Sequence, residues 1–294
     1  MIGKVGVVGA GMMGSEIALI YALGGMSVVL SDQSPERAQG AIQRLKDLLD
    51  KGIEKGRYTK DSAEQALANI QIRRDLDQYG DRDLVVEAVF ENAEIKGAIF
   101  KRLADILPPS SIIAMNTSSI SITVLSGYLP QERRARFLGT HFFSPVSRMP
   151  LVEVIPGMDT APEVAREMIE LLSRIGKSPI HVKDVVGFAV NRILHIFFIE
   201  AIRLVEEGVA TVEDIDTACK LGLGHPVGPF ELMDVTATDL ALDVQEILRT
   251  NYGERFMPRQ LLRSLVQAGY RGKKQGRGWY TYENGKRVPP QSVR

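Results

Sequence analysis

Cysteine is almost absent from this chain, which has one, Cys219, among its 294 residues. An intrachain disulfide is therefore excluded, and this usage fits a reducing compartment. No apolar run approaches the roughly 20 residues that a transmembrane helix needs. Strand-like sequence begins already at Lys4, so we see no signal or transit peptide. From these absences we expect a soluble, cytoplasmic protein with no membrane partner.

An excess of charge of either sign is also lacking, because Lys and Arg total 36 and Asp and Glu total 36. Proteins that bind nucleic acid through its phosphates normally carry a basic surplus, so nucleic acid is not expected as a general partner. What the chain does have is 45% hydrophobic and 24% charged residues, which is typical of a globular protein with a core. Its length suits one large domain or two ordinary ones.

A glycine-rich segment follows the first apolar run and opens a helical pattern. Gly9, Gly11 and Gly14 punctuate the sequence GAGMMG, and the next apolar run ends at Asp32. Such glycines allow a tight turn, the approach of a pyrophosphate and close packing of helix on strand. Asp32 suits the ribose hydroxyls of an adenosine and would repel a 2′-phosphate. The segment predicts a dinucleotide site that prefers NAD to NADP, the alternatives being FAD and a turn without a ligand.

Strand and helix patterns alternate over residues 1–183. After the first two strands, further strands are predicted near 70–72, 84–86, 111–114, 137–143, 151–155 and 178–182, and long helices over 35–56 and 94–107. This alternation predicts a Rossmann-type α/β fold with a doubly wound, mainly parallel sheet. Beyond residue 184 we find only helical periodicity, over 193–207, 212–221, 232–248 and 258–268. We therefore expect an NAD-binding domain over 1–183 and an all-helical domain over 184–294.

A carboxylate stands where apolar residues are expected, at Glu153 within LVEVI (151–155). An unpaired carboxylate in a buried strand is costly, so a cation or a hydrogen-bond donor should lie nearby. His141 ends the preceding strand pattern and is the natural partner. An imidazole held by a carboxylate has a fixed tautomer and a raised basicity, which suits a general base. A structural salt bridge and a partly exposed histidine are the alternatives.

Small polar residues follow the strand near 111–114, at Asn116 to Ser119. Residues at the carboxyl end of a strand in such a sheet face the ligand crevice, and a helix N-cap is the alternative. Both hold if Ser119 caps the helix and Ser118 faces the substrate. Asn191 is polar within AVNRIL (189–194), and a ligand could supply its hydrogen-bond partners. We predict no metal site, because no pair with metal-ligand spacing occurs among the other histidines, His181, His195 and His225.

Seven segments give the chain a family resemblance. They are GAGMMG (9–14), EAVFEN (87–92), NTSS (116–119), HFFSPVSRMPLVEV (141–154), GFAVNRIL (187–194), HPVGPFELMD (225–234) and GKKQGRGWY (272–280). Over nearly its whole length the chain resembles the L-3-hydroxyacyl-CoA dehydrogenase family, including bacterial 3-hydroxybutyryl-CoA dehydrogenases. The resemblance implies NAD-dependent oxidation of L-3-hydroxyacyl-CoA to 3-ketoacyl-CoA, or the reverse reduction, with a short acyl chain.

The resemblance also implies roles for individual residues. His141 exchanges a proton with the C3 hydroxyl, and Glu153 orients the imidazole. Ser118 and Asn191 bind the substrate oxygens. The positions that match the NAD site of the family are Gly9, Gly11, Met12, Met13, Gly14, Asp32, Glu91, Lys96, Asn116, Ser118 and Lys274. The residues expected to meet the anionic CoA are Lys51, Lys55 and Lys96. The helical domain of the family makes a dimer, so a homodimer through residues 184–294 is expected.

The chain departs from the family at a few positions. Ser144 stands where asparagine is common, and Ser147 and Arg148 replace a more apolar pair. These departures bear on acyl preference rather than on the chemistry. The alternatives are a 3-hydroxyadipyl-CoA dehydrogenase, another hydroxyacid dehydrogenase of the same architecture (gulonate or carnitine type) and a non-catalytic NAD-binding protein. The segment HFFSPVSRMPLVEV favours the acyl-CoA branch, and the intact His141 and Glu153 favour catalysis.

Overall fold

A computed structural model describes residues 2–289 of the chain. The chain divides into two compact units, a first unit over Met1–Val185 and a second over Val186–Arg294. None of the helices within residues 2–289 combines the length and the apolar character that crossing a bilayer requires.

The first unit is built on an eight-stranded sheet. Its strands are β1 (Lys4–Val8), β2 (Ser27–Ser31), β3 (Ile70–Arg73), β4 (Leu84–Glu87), β5 (Ile112–Met115), β6 (Phe137–Phe142), β7 (Leu151–Pro156) and β8 (Ser178–His181). Their order across the sheet is β3-β2-β1-β4-β5-β6-β7-β8, and every neighbouring pair is parallel except β6 and β7. The predicted doubly wound, mainly parallel sheet is confirmed.

Helices cover this sheet. They are α1 (Met12–Leu23), α2 (Pro35–Glu54), α3 (Lys60–Ala68), α4 (Ala93–Ile106), α5 (Ile122–Ser126), α6 (Gln131–Arg134) and α7 (Pro162–Arg174). The helix α1 is buried along most of its length, with Ile17 and Tyr21 fully enclosed. In contrast, α2 buries a single stripe that includes Leu45 and Leu49 and leaves its charged face exposed.

The carboxyl ends of β1, β2, β4, β5 and β6 meet at one edge of the sheet, because these strands run in the same direction. Ligands of such folds bind in the crevice at this edge. The strand β7 returns antiparallel to β6, and its register places Glu153 directly opposite His141. The two residues are therefore adjacent across a strand pair.

The second unit is mainly helical, as predicted. Its helices are α8 (Val190–Glu206), α9 (Val212–Gly222), α10 (Pro229–Thr236), α11 (Thr238–Tyr252) and α12 (Gln260–Gln267). It also contains an antiparallel hairpin of β9 (Thr281–Glu283) and β10 (Lys286–Val288), which the sequence analysis did not predict. Strands of three residues are too short to show the alternation by which longer strands are recognised.

The single helix predicted over 232–248 is wrong, because the chain breaks between α10 and α11 at Ala237, where φ is 94°. Tertiary contacts accompany this break. The carboxylate of Asp234 accepts the backbone N–H groups of Trp279 (2.8 Å) and Tyr280 (2.9 Å). A Cβ on Gly278 would lie 1.9 Å from Asp234 Oδ1, so this position requires glycine. The segment GKKQGRGWY is therefore bound to the end of α10.

His195 on α8 makes stability depend on pH. The residue is 5% exposed, and its Nδ1 has no hydrogen-bond partner within residues 2–289. Burial lowers the pKa of His195 from 6.5 to about 4. Its contribution to stability is therefore complete above pH 6.5 and is lost as the pH falls toward 4. Through this residue we expect the free energy of unfolding, measured by urea titration, to fall by about 2 kcal/mol between about pH 8 and about pH 5.

Two variants separate this effect from other titrations. His195→Leu should remove this part of the pH dependence, because leucine has no group that titrates. His181→Gln, which removes an exposed histidine, should retain it. An identical pH dependence in the parent and in His195→Leu would contradict the prediction.

Candidate active site

The glycine-rich turn joins β1 to the N-terminus of α1. Gly9 has a φ of 104°, and a Cβ on it would lie 2.6 Å from the carbonyl oxygen of Ala88. A Cβ on Gly14 would lie 1.8 Å from the carbonyl oxygen of Gly9. A Cβ on Gly11, in contrast, would have no neighbour within 4 Å among the described residues. The turn is closed against the sheet and open above Gly11, so a dinucleotide pyrophosphate fits it.

Asp32 directly follows β2 and lies beside this turn. Its carboxylate accepts the backbone N–H groups of Ala10 (2.8 Å) and Ser34 (3.0 Å). The guanidinium of Arg37 lies 3.7 Å away, and the side chain of Asp32 is 8% exposed. The carboxylate also borders a cavity of about 560 Å³. An acid in this place fits the ribose of an adenosine.

His141 and Glu153 form a buried pair. The Oε2 atom of Glu153 lies 2.7 Å from Nδ1 of His141, and the two side chains are 0% and 9% exposed, respectively. The ring of Phe143 packs on the imidazole, with 4.5 Å between centroids. The pairing predicted from the sequence is present. A carboxylate at Nδ1 fixes the orientation and the tautomer of the imidazole ring.

Two further contacts bring neighbouring segments to this pair. The side-chain oxygen of Asn116, after β5, accepts the N–H of Phe142, the residue next to His141 (3.0 Å). The hydroxyl of Ser144 lies 3.9 Å from the sulfur of Met12, at the start of α1. The first unit thus gathers the glycine-rich turn, the segment after β5 and the buried pair at one edge of the sheet.

The segment after β5 is held in place by Glu91. This carboxylate accepts the backbone N–H groups of Ser118 (3.1 Å) and Ser119 (3.2 Å) and the hydroxyl of Thr117. Ser118 is exposed, as a residue that faces a substrate should be. Ser119 was expected to cap the following helix, but the cap of α5 is Ser121, whose hydroxyl accepts a backbone N–H of the first turn. Ser119 contacts Glu91 instead.

Lys96 is enclosed within the protein and is 0% exposed. Its ammonium lies 2.9 and 2.8 Å from the two oxygens of Glu87 and 3.4 Å from Glu91, and it donates to the carbonyl of Asn116 (3.2 Å). This placement disagrees with the expectation that Lys96 meets CoA, because the side chain points toward the sheet. Burial raises the pKa of Glu87 despite this ammonium. Burial by itself would raise the pKa of Glu91. The nearby ammonium of Lys96 outweighs this effect and holds the pKa of Glu91 below its usual range.

Two charged residues hold the connection between β6 and β7 in place through hydrogen bonds. Glu16 of α1 accepts the N–H of Ser147 (2.8 Å). Lys177, which precedes β8, donates to the carbonyl oxygens of Val146 and Met149. Burial lowers the pKa of Lys177. The loop that follows the catalytic candidate His141 is therefore fixed by side chains that the sequence analysis did not identify.

A basic pocket lies between α2 and this loop. Its volume is about 420 Å³, and the charged residues that line it are Arg44, Asp47, Lys51, Lys55, Arg57 and Arg148. Five cations against one carboxylate make the pocket attractive to an anion. Of these residues, Lys51 and Lys55 were expected from the sequence to meet CoA. The tertiary structure places three arginines, Arg44, Arg57 and Arg148, in the same pocket.

The remaining predicted site residues belong to the second unit. Asn191 is partly exposed in the first turn of α8. Lys274 is exposed in a short 3-10 helix, Lys273–Gln275. Within residues 2–289, no group of three or more His, Cys, Asp or Glu side chains could hold a metal ion.

Comparison with known proteins identifies the family. The model of the 3-hydroxyacyl-CoA dehydrogenase NAD-binding domain matches residues 4–185, and that of the C-terminal domain matches residues 187–282. A probable 3-hydroxybutyryl-CoA dehydrogenase of Deinococcus radiodurans is 45% identical over 283 residues, which is 95% of this chain and 100% of the relative. A 3-hydroxybutyryl-CoA dehydrogenase of Bradyrhizobium diazoefficiens is 40% identical over 290 residues, 98% of each chain.

A solved structure agrees with this assignment. The crystal structure of (S)-3-hydroxybutyryl-CoA dehydrogenase from Ralstonia eutropha superposes with a TM-score of 0.92 at 41% identity, covering 97% of this chain and 100% of that one. The chain therefore belongs to the 3-hydroxyacyl-CoA dehydrogenase family and is an NAD-dependent oxidoreductase.

Proposed function

We propose that the protein oxidises short-chain L-3-hydroxyacyl-CoA, with 3-hydroxybutyryl-CoA as the representative substrate, to 3-ketoacyl-CoA, and that it catalyses the reverse reduction. The observation that carries this proposal is the buried pair in which Glu153 lies 2.7 Å from Nδ1 of His141. The relatives named as 3-hydroxybutyryl-CoA dehydrogenases support a short acyl chain.

The buried pair moves the proton. In the oxidation, Nε2 of His141 takes the proton of the C3 hydroxyl, and the imidazole becomes an imidazolium. Glu153 stabilises this charge because its carboxylate is already fixed at Nδ1 and is shielded from water. The bound NAD supplies the acceptor for the hydride of C3. In the reduction, His141 returns its proton to the oxygen of the developing alkoxide.

Residues of the first unit are proposed to bind the cofactor and the reacting end of the substrate. Ser118 hydrogen-bonds a substrate oxygen, and it suits this role because it is exposed while Glu91 fixes its N–H. The role of Asn191 at the substrate oxygens stays a prediction from the family resemblance. Asp32 takes the adenosine ribose. The other residues of the first unit proposed for the NAD site are Gly9, Gly11, Met12, Met13, Gly14, Glu91, Lys96, Asn116 and Ser118. The match of Lys274 to the NAD site stays a prediction from the family resemblance.

The basic pocket is proposed to bind the phosphates of CoA. Lys55 lines it together with Arg57 and Arg148, so several cations surround one cavity. Cations that surround a cavity in this way raise the local concentration of an anionic substrate. Lys96 is left out of the CoA site, because its ammonium is enclosed by Glu87.

A homodimer formed through the second unit is also proposed. Large apolar side chains are exposed there, among them Ile193 (72%), Leu221 (84%) and Leu223 (65%). Exposed apolar residues form an interaction surface where they make one contiguous patch, and this is the arrangement that the proposed dimer requires. A cytoplasmic location stays a prediction from the sequence.

The proposed function is tested by following the absorbance of NADH with acetoacetyl-CoA as the substrate. Rapid loss of NADH is the expected result. Turnover only with longer or carboxylated 3-ketoacyl-CoA would overturn the short-chain assignment and favour a substrate such as 3-hydroxyadipyl-CoA. If NADH binds but no thioester is reduced, the acyl-CoA proposal is wrong. A gulonate or carnitine type of dehydrogenase, or a non-catalytic protein, would then remain.

A further inference from the structure

Arg44 on α2 contacts two regions at once. Its Nη2 atom donates a hydrogen bond of 2.7 Å to the carbonyl oxygen of Ala10, in the glycine-rich turn. The same side chain lines the basic pocket beside Lys51 and Lys55. Arg44 therefore lies at both the turn proposed for the NAD pyrophosphate and the pocket proposed for the CoA phosphates.

The peptide groups of Ala10 are held from two sides. Asp32 accepts the N–H of Ala10 at 2.8 Å, and Arg44 donates to its carbonyl at 2.7 Å. The neighbouring residues are Gly9 and Gly11, whose backbones are the most easily rotated in the turn. Without Arg44, the carbonyl oxygen of Ala10 loses its hydrogen bond. The carboxylate of Asp32 cannot replace this bond, because a carboxylate accepts hydrogen bonds and does not donate them.

Arg44 itself is only partly restrained. It lies on the exposed face of α2, and Ala10 is the one hydrogen-bond acceptor found for it within residues 2–289. A guanidinium has five N–H donors, so a phosphate in the basic pocket can be bound without releasing Ala10. Fixing a long arginine side chain costs rotamer entropy, and the first ligand that binds compensates for this loss.

We propose that Arg44 is a positioning residue through which a CoA phosphate in the basic pocket strengthens the binding of NAD. This inference rests on the proposed function, which assigns the pocket to CoA and the turn to the cofactor. A phosphate that immobilises the guanidinium leaves the glycine-rich turn ordered before the second ligand arrives, which gives positive cooperativity. With Arg44 removed, the two anionic ligands only repel each other, so the sign of the coupling should change.

The experiment is a fluorescence titration of the full chain with NADH, without CoA and with saturating CoA, at constant ionic strength. In the parent we expect CoA to lower the Kd of NADH about fivefold, the low end for coupling between sites. In Arg44→Met and Arg44→Gln we expect no decrease, or an increase. Because coupling is reciprocal, NADH should lower the Kd of CoA by the same factor in the parent.

Matched variants separate coupling from simple loss of charge. Lys46→Met removes a positive charge from the same helix but borders the cavity beside Asp32, so the fivefold coupling should remain. Lys55→Met should raise the Kd of CoA and leave the coupling at saturation intact. Coupling that survives in Arg44→Met, or that is absent from a parent that binds both ligands, would overturn the inference alone. A parent that does not bind CoA at all would overturn the proposed CoA site as well.

Discussion

Replacing His141 by asparagine is expected to lower kcat for the reduction of acetoacetyl-CoA by about 10²- to 10⁴-fold, the contribution of general acid–base catalysis. The amide nitrogen of asparagine can take the place of Nδ1 and donate to Glu153, so the buried carboxylate keeps a partner. The amide has no group that exchanges a proton at the position of Nε2. Steady-state kinetics with NADH measures the effect, and the affinity for NADH should stay unchanged.

Two companion variants make the result specific. His141→Ala removes the imidazole that contacts the buried Glu153, so it should also lose roughly 1–3 kcal/mol of stability, the cost of removing a hydrogen-bond partner of a buried polar group. His181→Ala removes an exposed histidine at the end of β8 and should retain full activity. A kcat for His141→Asn equal to that of the parent would refute the proton-transfer role while leaving the fold assignment intact.

Gly14→Ala is expected to lower the free energy of unfolding by about 3 kcal/mol or more, the upper range for an overpacked site. The added Cβ would lie 1.8 Å from the carbonyl oxygen of Gly9. The backbone of Gly9 cannot move away from this Cβ, because it already packs against Ala88: a Cβ on Gly9 would lie 2.6 Å from the carbonyl oxygen of Ala88. Helix and strand would have to separate. Denaturant unfolding of the purified variant measures the loss.

The same turn contains the matched control. Gly11→Ala adds a methyl group that meets nothing within 4 Å among the described residues, so stability should change by less than about 1 kcal/mol. Its affinity for NADH should nevertheless fall, because the methyl occupies the open side where the pyrophosphate approaches. Equal stability in Gly14→Ala and Gly11→Ala would show that the close contact does not govern this turn.

Local patterns in the sequence predicted much of this protein. Glycines at fixed spacing between a strand and a helix, followed by Asp32, encode a dinucleotide turn because that geometry depends on residues close together in the chain. The alternation of apolar strands and helices predicted the parallel sheet. Glu153 stood out because a carboxylate in an apolar strand requires a partner. The same rule applied to Glu87, at the end of β4, would have predicted that this carboxylate has a buried partner, though not which residue supplies it.

Tertiary structure decided what depends on residues that are distant in sequence. The burial of Lys96 follows from how α4 packs on the sheet, which no local pattern reveals. Arg44 meets Ala10 across 34 residues, and the basic pocket joins α2 to a loop about a hundred residues later. The break at Ala237 likewise accompanies contacts of Asp234 with residues 45 and 46 positions away. Periodicity reports which face of an element is apolar, whereas the partner of each polar group is fixed only when the elements pack together.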